Sequence, residues 1–244
     1  MCGRLAITTP PEAMRNFLGY GDLPNFPARY NVAPTQPVPI VRLNHAQQRE
    51  FALVRWGLVP SWSKELPTTP LINARADTIA DKPSFRGAFR HHRALMPADG
   101  FYEWRVMGAG PRQPHFIRRR DRGPFAIAAI WDNWMPANGS ELESCALITT
   151  EANATLMPIH HRMPVILDEK NFSLWLDPAT PLKELHALLV PASDDLMEAF
   201  PVSPDVNYVH NDGPHLLDPY LAPLELPTPK KKAKPTDDRQ ESLF

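Results

Sequence analysis

The chain has 244 residues, 43% of them apolar, with 27 acidic and 26 basic side chains. This is enough apolar material for one large core, and a net charge of -1 leaves the whole-chain field with no pull on a polyanion. Two cysteines, Cys2 and Cys145, are too few for a disulfide framework and lack the paired spacing of a zinc site, so neither metal nor cofactor is expected.

The start of the chain has no basic-then-apolar secretory pattern, and no run of about eighteen apolar residues could span a bilayer. A cytoplasmic monomer is the expectation. The 29 prolines interrupt every long helical period and exclude a helical bundle. "TPPEAMRNFL" predicts an early helix, with Thr9 and Glu12 as a capping box and proline in the first turn. Strands are predicted in "PVPIVRL", "REFALVRWG", "RALMPA", "GFYEWR", "PHFIRR", "PFAIAAIW", "SCALITT" and "MPVIL", most of them bounded by Pro, Gly or Asn. "DEKNFSLWL" and "PLKELHALL" predict late amphipathic helices. Strands scattered around a few helices define an α+β class: a compact, mainly antiparallel β domain over residues 2–224 with peripheral helices. From about Glu225 the composition turns to "ELPTPKKKAKPTDDRQESLF", which predicts a disordered tail over 225–244.

Cations cluster in "FRGAFRHHR" (Phe85 to Arg93) and "RRRDR" (Arg118 to Arg122), with "DDLMEAF", Glu141 and Glu143 offsetting them. Each cluster reads as a solvated face of mixed charge. Cys145, in an apolar run, reads as a buried small hydrophobe. Trp56 reads as core and Trp62, after Pro60 and Ser61, as surface.

Cys2 directly follows Met1. Excision of the methionine would make it the terminal residue, a 1,2-aminothiol whose amine titrates near about 8 and whose thiol near about 8.5. Such a pair converts an aldehyde first to an imine and then, by thiol addition to the same carbon, to a thiazolidine. Proximity favours the closure, with effective molarities of roughly 10⁵ M in well-oriented systems. Three segments can deliver polar groups to such a terminus. In "PLINARAD" a period of two puts Asn73 and Arg75 on one face. In "DGFYEW" Glu103 shares a face with Phe101, opposite Tyr102 and Trp104, and in "IHHRMPVIL" His160 and Arg162 point together with His161 opposite.

These residues carry a resemblance. "MCGR", "RYNVAP", "RWGLVPSW", "LINARADT", "ADGFYEW" and "IHHRMPVIL", in this order over Cys2 to Val209, resemble the SRAP family of abasic-site processing proteins, once described as SOS-response-associated peptidases. The resemblance implies a positively charged groove for single-stranded DNA, and attack of Cys2 on the C1′ aldehyde of an abasic sugar to leave a thiazolidine DNA–protein crosslink that shields the lesion from strand cleavage. By motif, Asn73 would hold the sugar, Glu103 would shuttle protons, and His160 would act on the sugar oxygen or 3′ phosphate. Arg4, Arg75 and Arg162 would contact phosphates, with Thr149 in "LITTEAN" as a further contact, and Trp62 would stack on a base beside the lesion. The implied setting is the cytoplasm, close to the nucleoid. The last five residues, Gln240 to Phe244, resemble a short motif that binds the bacterial sliding clamp. Two other functions fit the same residues: an amino-terminal-nucleophile cysteine peptidase using Cys2 with His160, and a noncatalytic single-stranded nucleic-acid binding module.

Overall fold

A computed structural model describes residues 2–22, 24–108, 111–136 and 138–220. The tail from 225 and the Gln240–Phe244 motif lie outside them. In chain order the elements are β1 (Leu5–Ile7), α1 (Pro11–Leu18), β2 (Arg29–Val32), β3 (Pro37–Leu43), β4 (Arg49–Trp56), β5 (Asn73–Arg75), α2 (Arg86–His91), β6 (Arg93–Ala98) and β7 (Gly100–Arg105). There follow β8 (Gln113–Arg119), β9 (Phe125–Trp134), β10 (Leu142–Glu151), β11 (Arg162–Pro164), β12 (Ile166–Leu167), α3 (Phe172–Leu176), α4 (Leu182–Ala187) and β13 (Met197–Pro201).

Two sheets hold these strands. The smaller runs β13-β8-β7-β1-β2 and is antiparallel throughout. The larger runs β11-β10-β4-β3-β6-β9-β12. Because β10 also pairs with β9, the five strands β10, β4, β3, β6 and β9 close on themselves in a hydrogen-bonded ring. Closure removes the free edges that a short open sheet would expose. It also explains β9: "FAIAAI" is buried at every position, as expected of a strand covered on both faces, and its alanines let neighbours approach. Most pairings are antiparallel, but β10 runs parallel to both β4 and β5.

Strand β10 does two jobs along its length. Its first half pairs with β4 and β9, whereas Leu147 to Thr149 pair with β5 and Thr149 to Glu151 with β11. The "MPVIL" segment fills the gap where β10 leaves β9: Val165 N–H donates to Ile148 O and Val165 O accepts from Ala128 N–H, both at 2.9 Å.

The predicted strands are all present, and the early and late helices as well. Thr9 does not cap α1, however. Pro10 occupies the cap position with no side-chain bond, and the Thr9 hydroxyl donates to Asp99 instead, while the Asp99 carboxylate accepts from Thr9 N–H at 2.8 Å. A partner from β-sheet territory outcompetes the local box. Arg93 departs from the expected solvated face: it is buried and donates to the carbonyls of Phe89 and Arg90 at the end of α2 and of Trp175 and Asp177 at the end of α3. These are helix-end acceptors that would otherwise lack partners. In the other basic cluster, Arg118 bonds Glu198 at 2.8 Å across the β8–β13 pair and Arg119 bonds Asp121, so both cations are matched locally.

A second, smaller apolar cluster of Ala6, Tyr102, Phe116, Val202, Val206 and Leu216 lies between the smaller sheet and residues 202–217. Gly100 lets Phe116 into it, since a Cβ there would sit 2.1 Å from the Phe116 ring. No helix among the described residues is long and apolar enough to cross a membrane.

Candidate functional site

The site forms where the chain start meets both sheets. Leu5 pairs with Phe101, and Tyr102 N–H donates to Arg4 O at 3.0 Å, so the residues ahead of β1 run back along β7 towards Glu103. On β7, Phe101 enters the main core while Tyr102 enters the smaller cluster and Trp104 packs against it, which leaves Glu103 facing with Phe101 as the alternation predicts. From the larger sheet, β5 contributes Asn73, whose amide Nδ2 donates to Cys2 O at 2.9 Å. Ala74 is fully buried between half-buried Asn73 and exposed Arg75, so these two share a face as expected.

Cys2 is only 1% exposed. Burial pushes its thiol well above the usual range, and the charge of Glu103 adds to this. Burial thus works against ionisation of this thiol while the sulfur is covered. Glu103 is 3% exposed, and burial raises its carboxyl from 4.5 to about 7, against the opposing positive charge of the amino terminus. A carboxyl in that position can both give and take a proton near neutral pH. His160 is shifted down from the usual imidazole value, first by burial and then by the same terminal charge. Arg162 N–H donates to His160 Nδ1 at 3.0 Å. The same Nδ1 also stands 3.2 Å from Arg162 O, so the backbone of Arg162 fixes the orientation of the ring. His161 does not point opposite: the two imidazoles stack with centroids 4.4 Å apart, because residues 160 and 161 precede β11 and do not share its pleat.

Cys2, Asn73 and Glu103 thus lie together, Asn73 bonded to the Cys2 carbonyl and the Glu103 charge acting on the Cys2 thiol. The Oδ1 atom of Asn73 is buried and accepts no hydrogen bond among the described residues. An unfilled buried acceptor costs roughly 1 to 3 kcal/mol, a cost that a donor from a bound molecule would remove.

The expected phosphate contacts divide. Arg162 is buried and donates from Nη2 to Thr149 O at 2.5 Å and to Thr149 Oγ1 at 3.2 Å, and Thr149 itself is fully buried. Arg75 is exposed and forked onto Asp77, at 3.1 Å from Nε and 2.5 Å from Nη2. Its charge is close enough to Arg162 to lower that guanidinium's pKa further than burial does alone. Arg4 is turned away into structure, donating at 2.6 Å to both Asn31 Oδ1 and Val206 O, with its guanidinium 5.7 Å from the Trp104 ring. Trp62 is 64% exposed on a separate cleft of about 570 Å³ with Ser84, Arg86, His91 and Asp132, which none of Cys2, Asn73, Glu103 or His160 lines. Trp56 is core, its indole N–H on Ile72 O at 3.1 Å, and Cys145 is fully buried. Among the described residues no group of three His, Cys, Asp or Glu could hold a metal ion. The residue that sequence reasoning missed is Asp77, although its signal was present: "RAD" places a carboxylate two positions past a guanidinium.

The architecture is shared with solved structures. A crystal structure of a protein from Bacteroides thetaiotaomicron superimposes with a TM-score of 0.79 at 27% identity, covering 90% of this chain and all of that one. The family model described as SOS response associated peptidase (SRAP) matches residues 1–209, and the chain belongs to that family. It is 36% identical over 226 residues to the abasic site processing protein YoqW of Bacillus subtilis, covering 89% of this chain and 99% of the relative. It is 33% identical over 276 residues to the abasic site processing protein HMCES of Gallus gallus, covering 95% of this chain and 80% of that one.

Proposed function

We propose that this chain, once Met1 is removed, captures abasic sites in single-stranded DNA as a covalent thiazolidine through Cys2. The observation that carries the reading is the buried cysteine held by Asn73 beside a carboxyl that titrates near neutrality, in a chain whose relatives are named for processing abasic sites.

The site orders the steps. A closed abasic sugar must open before its C1′ aldehyde reacts: Glu103 in its protonated form gives a proton to the ring oxygen as the C1′–O4′ bond breaks, and the resulting carboxylate takes the proton of the C1′ hydroxyl, acid–base catalysis worth typically about 10²–10⁴ in rate. The terminal amine then adds to C1′ and water leaves, giving the imine. The neutral Cys2 thiol follows, its sulfur bonding to C1′ and its proton passing through Glu103 to the imine nitrogen. Burial disfavours ionisation of this thiol, and in this reading it acts after the amine. Without sulfur addition the imine would withdraw electrons and invite β-elimination of the 3′ phosphate, so ring closure protects the strand. In this reading Asn73 Oδ1, which accepts no bond among the described residues, takes one from a sugar hydroxyl, and His160 acts on the sugar oxygen or 3′ phosphate. Arg75 and Arg162 supply positive charge along the strand, and a cytoplasmic, nucleoid-associated monomer suits the substrate.

The test is an intact mass after incubation with a single-stranded oligonucleotide bearing one abasic site. The expected gain is the oligonucleotide less one water, absent in Cys2→Ala and in protein that retains Met1. No gain, or the same gain in Cys2→Ala, refutes the reading.

A further inference from the structure

Arg75 stands on the same strand face as Asn73, two residues further along β5, and is the exposed member of a guanidinium pair with Arg162. The two differ in freedom. Arg162 is buried and tied to Thr149, so its position is set by the fold. Among the described residues Arg75 bonds Asp77 alone, whose two carboxylate oxygens take Nε and Nη2 in a bidentate fork. That fork is the geometry in which a guanidinium grips two oxygens of a phosphate. Both partners are more than half exposed, at 56% and 51%, so water and ions can exchange with the pair. On the Arg162 side of the pair a hollow of about 250 Å³ is lined by Asp77, Thr150, Glu151 and Arg162, so Asp77 stands between Arg75 and open space that solvent and ions can enter.

We propose that Asp77 is a built-in competitor for the phosphate site of Arg75, its carboxylate occupying the guanidinium until a DNA phosphate displaces it, so that the residue sets how weakly the protein holds undamaged single strands. This rests on the single-stranded DNA reading above. An exposed ion pair is weak enough to be displaced. A freed carboxylate beside a phosphate is repulsive and recruits a cation from solution. Intact DNA, bound through phosphates alone, bears that handicap in full, and it is released readily. A lesion-bearing strand is retained by the covalent bond at Cys2 instead.

The experiment measures binding of a lesion-free, fluorescently labelled single-stranded oligothymidine by anisotropy across a salt series, with the full chain. Asp77→Asn should bind about fivefold more tightly than wild type. Its log K against log salt should be steeper by about 0.7, since no carboxylate is left to recapture a cation. Glu151→Gln removes a neighbouring charge that acts on Arg75 without bonding it and reports the field effect alone, so its gain should be clearly smaller. In an Arg75→Gln background the Asp77→Asn gain should fall to that of Glu151→Gln. Weaker binding by Asp77→Asn would mean that the carboxylate orients Arg75 for DNA and overturns the proposal. So does a gain no larger than that of Glu151→Gln, a gain that persists without Arg75, or no binding by any variant. The abasic-site mass measurement on wild type is independent of all these outcomes, so a failure of one reading is separable from a failure of the other.

Discussion

Glu103→Gln should make the protein more stable as it makes it inactive, and the gain should depend on pH. Burial holds this carboxyl at about 7 in the fold against 4.5 for the free side chain. Because the folded value is the higher one, the folded chain binds more protons than the unfolded chain between these limits. The stability associated with the protonated form is complete below about 4.5 and is lost as pH rises through about 7. At about 1.36 kcal/mol per pKa unit, ionising Glu103 in place costs roughly 3 kcal/mol at pH values well above 7. Glutamine has nearly the same volume and no charge to bury, so it escapes the cost. Thermal unfolding followed by circular dichroism at about pH 5 and about pH 8 isolates the effect, with an expected difference of roughly 2 to 3 kcal/mol between the two gains. For a chain of this size that corresponds to roughly 5 to 10 °C of additional Tm at the higher pH. Abasic-site capture by the variant should fall by at least about a hundredfold at both pH values. A Tm difference that is the same at both pH values would refute the raised carboxyl, whatever happens to activity.

Asn73→Ala removes the donor to Cys2 O, which should lower stability by about 1 kcal/mol and slow crosslinking by roughly tenfold to a hundredfold; an unchanged single-turnover rate would remove Asn73 from the site. Cys2→Ser keeps the amine and loses the sulfur nucleophile, so gels should show strand scission and a borohydride-trappable imine where wild type shows a heat-stable adduct; a heat-stable adduct in the variant would contradict the ring-closure chemistry. Gly100→Ala would place a Cβ 2.1 Å from Phe116 Cζ and 2.8 Å from Ile117 O. Overpacking of this kind costs about 2 to 3 kcal/mol or more, and an unmoved urea midpoint would show that β7 and β8 separate easily.

What could be read before the structure was whatever depends on near neighbours. The faces of "NAR" and "GFYEW" follow from the two-residue pleat, and both hold. His161 escapes that rule because its residue lies outside the strand, and Thr9 leaves its capping box for Asp99, 90 residues away. The strands β1, β2 and β13 have 3, 4 and 5 residues and no alternation long enough to announce them. Ring closure through β9 and β10 is a long-range pairing with no local mark. The burial of Cys2 was equally hidden: a residue at a chain start reads as exposed unless one knows that the β7 strand and Asn73 cover it. Asp77 was overlooked for a different reason, since short-range pairing of opposite charges is so common on surfaces that it draws no notice.

The two hydrogen bonds from Arg4 to Asn31 and Val206, with Asn31 Nδ2 also donating to Tyr208 O at 3.1 Å and Asn211 O at 2.7 Å, join the opening residues of the domain to its closing ones. Cys2 is two positions from that clasp, so its placement depends on nearly the entire domain rather than on its first few residues. On a ribosome residues 206–211 emerge after every strand of both sheets, so this clasp closes late. A shortened product that lacks this stretch would keep the terminal aminothiol but lose the anchor that holds it in register with Glu103.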